Sequence, residues 1–181
     1  MDTKQSIRKE VFRRRKEASD EMIRNASSRI FEKLLQTDAF QQSGWLFTYM
    51  DFNREVMTGE LIEKAWKMGK RVAVPKVTGK DMNFYEITSF NQLEPGYFQI
   101  PEPVNCPRAD GEDAFLVIPG VAFDKKRHRI GYGQGFYDRY LSIHNRHKTA
   151  AVAFDFQVFD EVPFEALDIT PQALVTETCI Y

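Results

Sequence analysis

The sequence predicts an α/β fold, in which helices cover both faces of an open, mostly parallel sheet and a long helical N-terminus precedes the first strand. One observation behind this prediction is that, from residue 44 onward, short apolar runs typical of buried strands alternate with segments of helical periodicity. The other is that residues 1–40 have helical periodicity alone. In such sheets ligands bind outside the carboxyl ends of the strands, so we expect functional residues in the loops that follow them.

The N-terminal segment carries two apolar stripes at helical spacing. Ile7, Val11 and Phe12 form the first stripe. The second consists of six apolar residues, Met22, Ile23, Ile30, Phe31, Leu34 and Leu35. Ser19, followed by Glu21, is a helix-start signal between the two stripes, so the segment predicts either two helices or one kinked helix.

A strand–helix–strand unit follows. Residues 44–50 are an apolar run rich in aromatic and β-forming side chains, which predicts a buried strand. Residues 58–69 predict a helix, with Thr58 as its N-cap and Gly69 at its end. Since residues 71–75 predict another strand, the three form a βαβ unit whose crossover should be right-handed.

The remaining elements continue the alternation. Prolines and glycines make residues 88–112 an irregular excursion within the domain. Around it, the sequence predicts strands at 82–87, 114–119, 149–154 and 173–176, and a helix at 136–143.

Composition bounds the class of protein. The 181 residues suit a single domain over 1–181, and a hydrophobic content of 43% excludes a disordered chain. No apolar run approaches the ~18 residues of a membrane span, and charges throughout the first sixteen residues argue against a secretory signal. Cys106 and Cys179 lack metal-ligand or C-x-x-C spacing, which is typical of reduced thiols. We therefore expect a cytoplasmic protein that does not bind membranes.

A net charge of −1 conceals two basic clusters, at residues 4–16 and 125–129. Local clusters of this kind favour an anionic small molecule, because nucleic-acid-binding domains are usually basic overall. We therefore expect a protein that binds small molecules and no nucleic acid, and we also expect a monomer. Two alternatives remain: residues 9–16 can be a solvated helix face, and residues 13–16 can belong to a nucleic-acid-binding module.

Three glycines at alternate positions, Gly131, Gly133 and Gly135, lie directly before the predicted helix at 136–143. Glycine permits φ > 0 and close backbone approach, so successive N–H groups can surround an anion, and the helix N-terminus adds unpaired N–H groups. Arg129 can add a bidentate guanidinium. The segment therefore predicts phosphate binding.

This segment matches neither of the two common nucleotide-binding loops. It does not end in G-K-[ST], its spacing is not G-x-G-x-x-G, and basic residues separate it from the preceding strand. Asp138, one turn into the helix, is a carboxylate suited to Mg²⁺ bridging phosphates. A flexible turn is the alternative interpretation of the glycines, and the residues alone do not name the ligand.

Two stretches resemble a known family. The residues from Pro119 to Asp124 and from Arg129 to Arg139 closely resemble 5-formyltetrahydrofolate cyclo-ligase, also called 5,10-methenyltetrahydrofolate synthetase. The resemblance covers nearly the whole chain, and further matching positions are Lys4, Arg8, Tyr49 to Glu55, Glu102, Pro103, Asp168, Thr176 and Glu177. The block of glycine, tyrosine, aspartate and arginine is specific to the family.

The resemblance implies a closure of 5-formyltetrahydrofolate to 5,10-methenyltetrahydrofolate that uses ATP as co-substrate and Mg²⁺, and releases ADP and phosphate. In that chemistry the formyl oxygen attacks the γ-phosphate, N10 captures the iminium phosphate, and phosphate leaves. Phosphorylation makes a poor leaving group into a good one, and the transfer asks the protein mainly for positioning and charge neutralisation.

The resemblance also implies residue roles. The nucleotide-binding positions are Lys4, Arg8, Arg129, Ile130, Gly131, Tyr132, Gly133, Gln134, Gly135, Phe136 and Tyr137. The substrate-binding positions are Met50, Glu55, Tyr132, Gly133, Gln134, Gly135 and Phe136. Asp138 and Asp168 match the metal ligands, and Arg129 and Tyr137 match the catalytic positions. A carboxylate at Glu55 suits the adjacent ring N–H and amino group of the pterin, through paired hydrogen bonds.

Several of these residues have an alternative role. Glu55 can stabilise the dipole of the helix at 58–69, and Asp138 can pair with a basic residue one turn away. Neighbouring acids offer other alignments for Asp168, and a methionine such as Met50 is more often a core residue.

Two positions depart from the family pattern, and one other enzyme class stays open. Gln134 stands where relatives often carry lysine or glycine, so the positive charge must come from Lys4, Arg8 or Arg129. Phe136 stands where a tyrosine is common, so one hydroxyl is absent. The open alternative is a sugar-phosphate isomerase or CoA-transferase-like α/β protein without ATP chemistry.

Overall fold

The computed structural model describes residues 3–181. Within that range the α-helices are α1 (Lys4–Glu17), α2 (Asp20–Leu35), α3 (Asp38–Gln42), α4 (Gly59–Lys67) and α5 (Phe136–Ile143). The strands are β1 (Trp45–Thr48), β2 (Arg71–Thr78), β3 (Asp81–Ile87), β4 (Leu93–Pro95), β5 (Pro101–Pro103), β6 (Phe115–Ile118), β7 (Ala122–Asp124), β8 (Arg129–Ile130), β9 (Lys148–Val152), β10 (Val158–Phe159) and β11 (Ala173–Val175). None of the described helices is both long and apolar enough to cross a membrane.

The central sheet has six strands in the order β11-β9-β6-β1-β2-β3. Every neighbouring pair is parallel except β2 and β3, which form an antiparallel hairpin at one edge. Strands β1 and β2 pair in parallel across α4, so the predicted βαβ unit is present. The predicted open, mostly parallel sheet is therefore confirmed.

Helices cover both faces of this sheet, as predicted. Because side chains alternate along a strand, Leu46 of β1 faces the core shared with α2 and α4, and Phe47 faces the opposite core. Helix α5 covers that second face with Tyr140 and Leu141. The strands are buried on both sides, which explains their continuous apolar runs.

The N-terminal segment forms separate helices rather than one kinked helix. The Ser19 side chain accepts a hydrogen bond of 3.1 Å from the Met22 N–H, so α2 begins with a true N-cap. Helix α2 packs on the central sheet, whereas α1 buries Ile7 and Val11 against Val121 and Ile130. Helix α1 therefore lies over the chain that leads into the glycine-rich segment.

The predicted caps of α4 are correct in position, but Thr58 is bound differently from an ordinary N-cap. Its hydroxyl donates to the Tyr49 carbonyl oxygen at 2.9 Å and makes no capping bond, while Asp51 Oδ1 accepts from the Thr58 N–H at 2.8 Å. Gly69 follows the last turn at φ 75°, the left-handed conformation that glycine adopts at little cost. Asp51 is therefore the acid at the entry of α4.

The sequence did not predict a second sheet, formed by β10, β7 and β8, or the ribbon of β4 and β5 inside residues 88–112. These strands have only two or three residues each, too few for a periodic signal. The turn between β7 and β8 is built by buried Asp124, whose Oδ1 accepts from the N–H groups of Lys126 and His128 at 2.9 and 3.1 Å. The basic cluster at 125–129 is thus a hairpin turn and its returning strand.

Replacing Asp124 should destabilise the fold, since this carboxylate also accepts bonds from the His128 ring and the Val162 N–H. Asp124→Ala leaves these donors without their acceptor, and we expect the free energy of unfolding to fall by about 3 kcal/mol. Urea denaturation measures this loss, with exposed Asp160→Ala as the matched control. Equal stability of the two variants would mean that Asp124 does not organise the hairpin.

Candidate active site

The loops after β1 and β6 border a cavity of about 550 Å³. It lies where ligands bind in parallel α/β sheets, outside the carboxyl ends of the strands. Every site residue predicted from the sequence lines it: Lys4, Arg8, Met50, Glu55, Arg129, Ile130, Gly131, Tyr132, Gly133, Gln134, Gly135, Phe136, Tyr137, Asp138 and Asp168. The fold thus brings the two ends of the chain and its middle to one place.

The glycine-rich loop, residues 131–135, joins β8 to α5 and is held by α1. Arg8 Nε donates to the Gly131 carbonyl oxygen at 2.8 Å. Gly133 and Gly135 have φ values of 99° and 66°, so their backbone needs glycine. Gly135 is also the N-cap of α5 and makes no side-chain capping bond. The first N–H groups of α5 therefore remain available to an anion at the cavity.

Arg129 and Asp138 form an ion pair inside the cavity. Arg129 Nη2 lies 3.0 Å from Asp138 Oδ2 and 3.1 Å from Oδ1, and only 8% of the Arg129 side chain is exposed. Asp138 Oδ1 also accepts from the Ile169 N–H at 2.9 Å. The basic partner of Asp138 is thus nine residues earlier in the chain, rather than one helical turn away.

Lys4 and Asp168 form a second ion pair at the cavity. Lys4 Nζ lies 3.2 Å from Asp168 Oδ2 and 2.8 Å from Glu165 Oε1. Within residues 3–181, no three His, Cys, Asp or Glu side chains are grouped to hold a metal ion. Asp138 and Asp168 nevertheless supply hard oxygen ligands to one cavity, which suits Mg²⁺ because it uses one or two carboxylates together with phosphate and water. The donor set therefore fits that ion.

Glu55 is the buried carboxylate of the cavity, with 3% of its surface exposed. Its Oε2 accepts from the Phe52 N–H and its Oε1 from the Tyr132 hydroxyl, both at 3.1 Å. Burial raises the pKa of Glu55 to about 7, although the charge of Arg15 opposes the rise. Glu55 makes no capping bond to α4, a role that Asp51 fills, so its side chain is left for the cavity.

Tyr137 and Met50 line the same cavity. Burial and the nearby charge of Glu55 raise the pKa of the Tyr137 hydroxyl, which keeps it protonated at neutral pH. Arg129 lies over the Tyr137 ring, with 5.9 Å between the guanidinium carbon and the ring centroid. Met50 lines the cavity and also packs against the core.

Sequence reasoning missed two groups of residues around the cavity. Tyr97 and Phe98 lie between β4 and β5 and line its rim, with Phe98 68% exposed. A pair of aromatic residues inside a stretch rich in proline and glycine was the available signal. Arg15 lies behind the cavity wall and continues the buried i, i+4 stripe of Ile7 and Val11, which its basic neighbours conceal.

The run of basic residues at 13–16 does not form a continuous free surface. Arg13 pairs with Glu10 and Glu17, and Arg14 pairs with Glu10. Arg15 is buried. Little of this run is therefore presented as an unpaired cationic face.

Comparisons with known proteins show the family of this chain. A model of the 5-formyltetrahydrofolate cyclo-ligase family matches residues 1–177. The 5-formyltetrahydrofolate cyclo-ligase of Escherichia coli K12 is 32% identical over 145 residues, which cover 74% of this chain and 78% of the relative.

Two solved structures have the same fold. The NMR structure of Aquifex aeolicus 5,10-methenyltetrahydrofolate synthetase matches with a TM-score of 0.87 at 35% identity, over 98% of this chain and 91% of that one. The Mycoplasma pneumoniae 5,10-methenyltetrahydrofolate synthetase matches with a TM-score of 0.75 at 21% identity, over 98% and 99% of the two chains, which is a likeness of fold alone. With a family model matched along nearly its whole length, a relative at 32% identity and this cavity, the chain belongs to the 5-formyltetrahydrofolate cyclo-ligase family.

Proposed function

We propose that this chain converts 5-formyltetrahydrofolate to 5,10-methenyltetrahydrofolate in a reaction driven by ATP. Family membership supports the activity. One observation supports its location: all the residues to which the resemblance assigns a role line a single cavity. The cavity offers cations at one part of its wall and a buried carboxylate with aromatic rings at another. It therefore suits a triphosphate beside a pterin.

The cationic part of the cavity would hold the nucleotide. Arg8 is fixed against the glycine-rich loop, and Arg129 presents a guanidinium close to the N-terminus of α5. Lys4 lies one turn before Arg8 on α1, on the same side of the helix. These charges, with the N–H groups of the loop and of α5, would neutralise and orient the γ-phosphate for attack by the formyl oxygen. Gln134 adds no charge there.

Asp138 and Asp168 would hold Mg²⁺ beside the phosphates. When bound, the ion supplies positive charge to the phosphate oxygens. Both carboxylates pair with cations of the site, Asp138 with Arg129 and Asp168 with Lys4. Binding of the nucleotide would give Arg129 and Lys4 phosphate partners and so leave the two carboxylates for the ion.

The remaining wall would hold the folate. Glu55 accepts one hydrogen bond on each oxygen, and a carboxylate has about four lone-pair sites, so two sites remain for the adjacent donors of a pterin. Met50, Tyr132 and Phe136 supply apolar surface around the ring system. The Tyr137 hydroxyl, protonated at neutral pH, would act in catalysis as a hydrogen-bond donor rather than as a base.

Formation of methenyltetrahydrofolate, followed by its absorbance, tests the activity in the presence and absence of Mg²⁺ and ATP. We expect product only with both. Arg129→Ala should lower turnover by on the order of 10³-fold, since it removes a phosphate-binding charge, and Arg129→Lys should recover only part of it. Exposed Arg146→Ala is the control. Near wild-type turnover of Arg129→Ala would place the phosphates elsewhere.

Asp138→Asn should raise the Mg²⁺ concentration needed for half-maximal turnover by about tenfold or more, because the amide is a weaker ligand of the same shape. A titration of turnover with Mg²⁺ at saturating ATP measures this. Glu112→Gln, in an exposed ion pair, is the control. A variant that keeps its Mg²⁺ dependence and loses only thermal stability would show that Asp138 serves the ion pair with Arg129.

Glu55→Gln should weaken 5-formyltetrahydrofolate binding by about 2–4 kcal/mol and leave ATP binding unchanged, because the amide turns one acceptor into a donor facing the pterin amino group. In the wild type, binding should weaken as the pH falls below about 7, since protonation of Glu55 removes the charged acceptor. The variant should lack this dependence. Calorimetry with each ligand alone measures both effects, and equal losses for the two ligands would indicate a misfolded loop.

A further inference from the structure

Arg15 is a buried cation outside the cavity lining, in contact with three segments of the site. Only 1% of its surface is exposed. Its Nη1 donates to the Tyr132 hydroxyl oxygen at 2.7 Å and to the Asn53 carbonyl oxygen at 3.3 Å, and its Nη2 donates to the Gly120 carbonyl oxygen at 3.0 Å. Its guanidinium therefore joins α1 to the glycine-rich loop, to the loop after β1 and to the chain after β6.

The bond from Arg15 leaves the Tyr132 hydroxyl hydrogen for another acceptor. A tyrosine hydroxyl can donate one hydrogen and can also accept. Since Arg15 donates to the oxygen of Tyr132, that hydrogen is free to point to Glu55 Oε1, 3.1 Å away. The three residues form a chain in which each group donates to the next and Glu55 accepts at the end.

Arg15 also opposes the other influences on the charge of Glu55. Burial favours the neutral acid, and Asp51 on the same loop adds negative charge nearby. The phenol groups near Glu55 belong to Tyr49, Tyr132 and Tyr137. Arg15 is the cation that lowers the pKa of Glu55 against these effects, and the pKa remains at about 7.

A second arginine, Arg54, binds the same loop to α1, but here the loop supplies the donor and the end of α1 supplies the acceptors. Arg54 donates to the Arg15 and Ala18 carbonyl oxygens at 2.7 and 2.6 Å and pairs with Asp20 at 2.7 Å. Asn53 and Arg54 have φ values of 48° and 56°, a left-handed conformation that costs non-glycine residues free energy. The loop thus holds a strained path directly before Glu55, supported by the end of α1.

We propose that Arg15 is a positioning residue of the folate site, which sets both the direction and the charge of the Glu55 carboxylate through Tyr132. The proposal rests on the proposed function, in which Glu55 meets the pterin. It gives the C-terminal half of α1 a part in folate recognition, while Lys4 and Arg8 in its N-terminal half serve the phosphates. A purely structural arginine would tie the loops together without affecting how Glu55 titrates.

The test compares Arg15→Met with Arg15→Lys, Tyr132→Phe and, as matched control on the same helix, exposed Arg13→Met. The titration of the Glu55 carboxyl is followed by isotope-edited NMR in the absence of ligand. Binding of 5-formyltetrahydrofolate and of ATP is measured separately by calorimetry, from about pH 6 to about pH 9, so that the Glu55 titration is spanned.

Arg15→Met should raise the pKa of Glu55 by about one unit, which would lower its ionised fraction at pH 7 from about one half to about one tenth. Folate binding should then weaken about fivefold or more at pH 7. The share of this loss that comes from protonation of Glu55 should vanish near pH 9, where Glu55 is ionised in both proteins. Arg15→Lys should keep most of the wild-type titration. Tyr132→Phe keeps the Arg15 cation but removes the hydroxyl that joins Arg15 to Glu55. Its weaker folate binding should therefore persist at high pH.

Two results would overturn the proposal: a Glu55 titration in Arg15→Met equal to that in Arg13→Met, or equal losses of ATP and folate binding. If Arg15→Met does not fold, Tyr132→Phe decides, and folate binding equal to that of the wild type from about pH 6 to about pH 9 would overturn the proposal. A wild-type chain that binds 5-formyltetrahydrofolate without cyclising it would refute the proposed activity and leave the Arg15 comparison intact. A wild-type chain that does not bind it would overturn both.

Discussion

The site depends on the attachment of α1 to the glycine-rich loop by two arginines seven residues apart. Arg8 binds the Gly131 carbonyl oxygen and Arg15 binds the Tyr132 hydroxyl, so consecutive loop residues are held from two turns of one helix. The loop itself contains glycines in left-handed conformations. Helix α1 holds the first two residues of the loop, and it reaches them because Ile7 and Val11 pack on Val121 and Ile130 rather than on the central sheet.

The candidate site contains buried charges that cost the fold stability. Burying a charged group costs free energy unless the group is paired and hydrogen-bonded. Arg15 keeps one nitrogen without a partner among the described residues. Burial likewise raises the pKa of Glu55 to about 7, which disfavours its charged form. Such groups are typical of functional sites, where binding a ligand completes the pairing that the fold leaves open.

The sequence predicted the central architecture because its helices carry apolar stripes at helical spacing and its strands are continuous apolar runs. The helix at 136–143 has the predicted bounds, and the strands agree to within a few residues at each end. The second sheet escaped prediction because its strands are very short and its turn depends on one buried carboxylate, Asp124. The cavity residues were predicted from the resemblance to a family, partly through its specific block, whereas Arg15 was hidden in a basic run whose burial the sequence does not show.

The strained loop before Glu55 has a consequence for local opening of the protein. The left-handed backbone of Asn53 and Arg54 costs free energy, and the hydrogen bonds between this loop and the end of α1 offset that cost. If that end detaches, the loop loses its supporting bonds and relaxes, and Arg15 leaves Tyr132 in the same event. The C-terminal turn of α1 and the loop after β1 therefore form one cooperative unit, whose amide hydrogens would exchange with solvent through a shared opening.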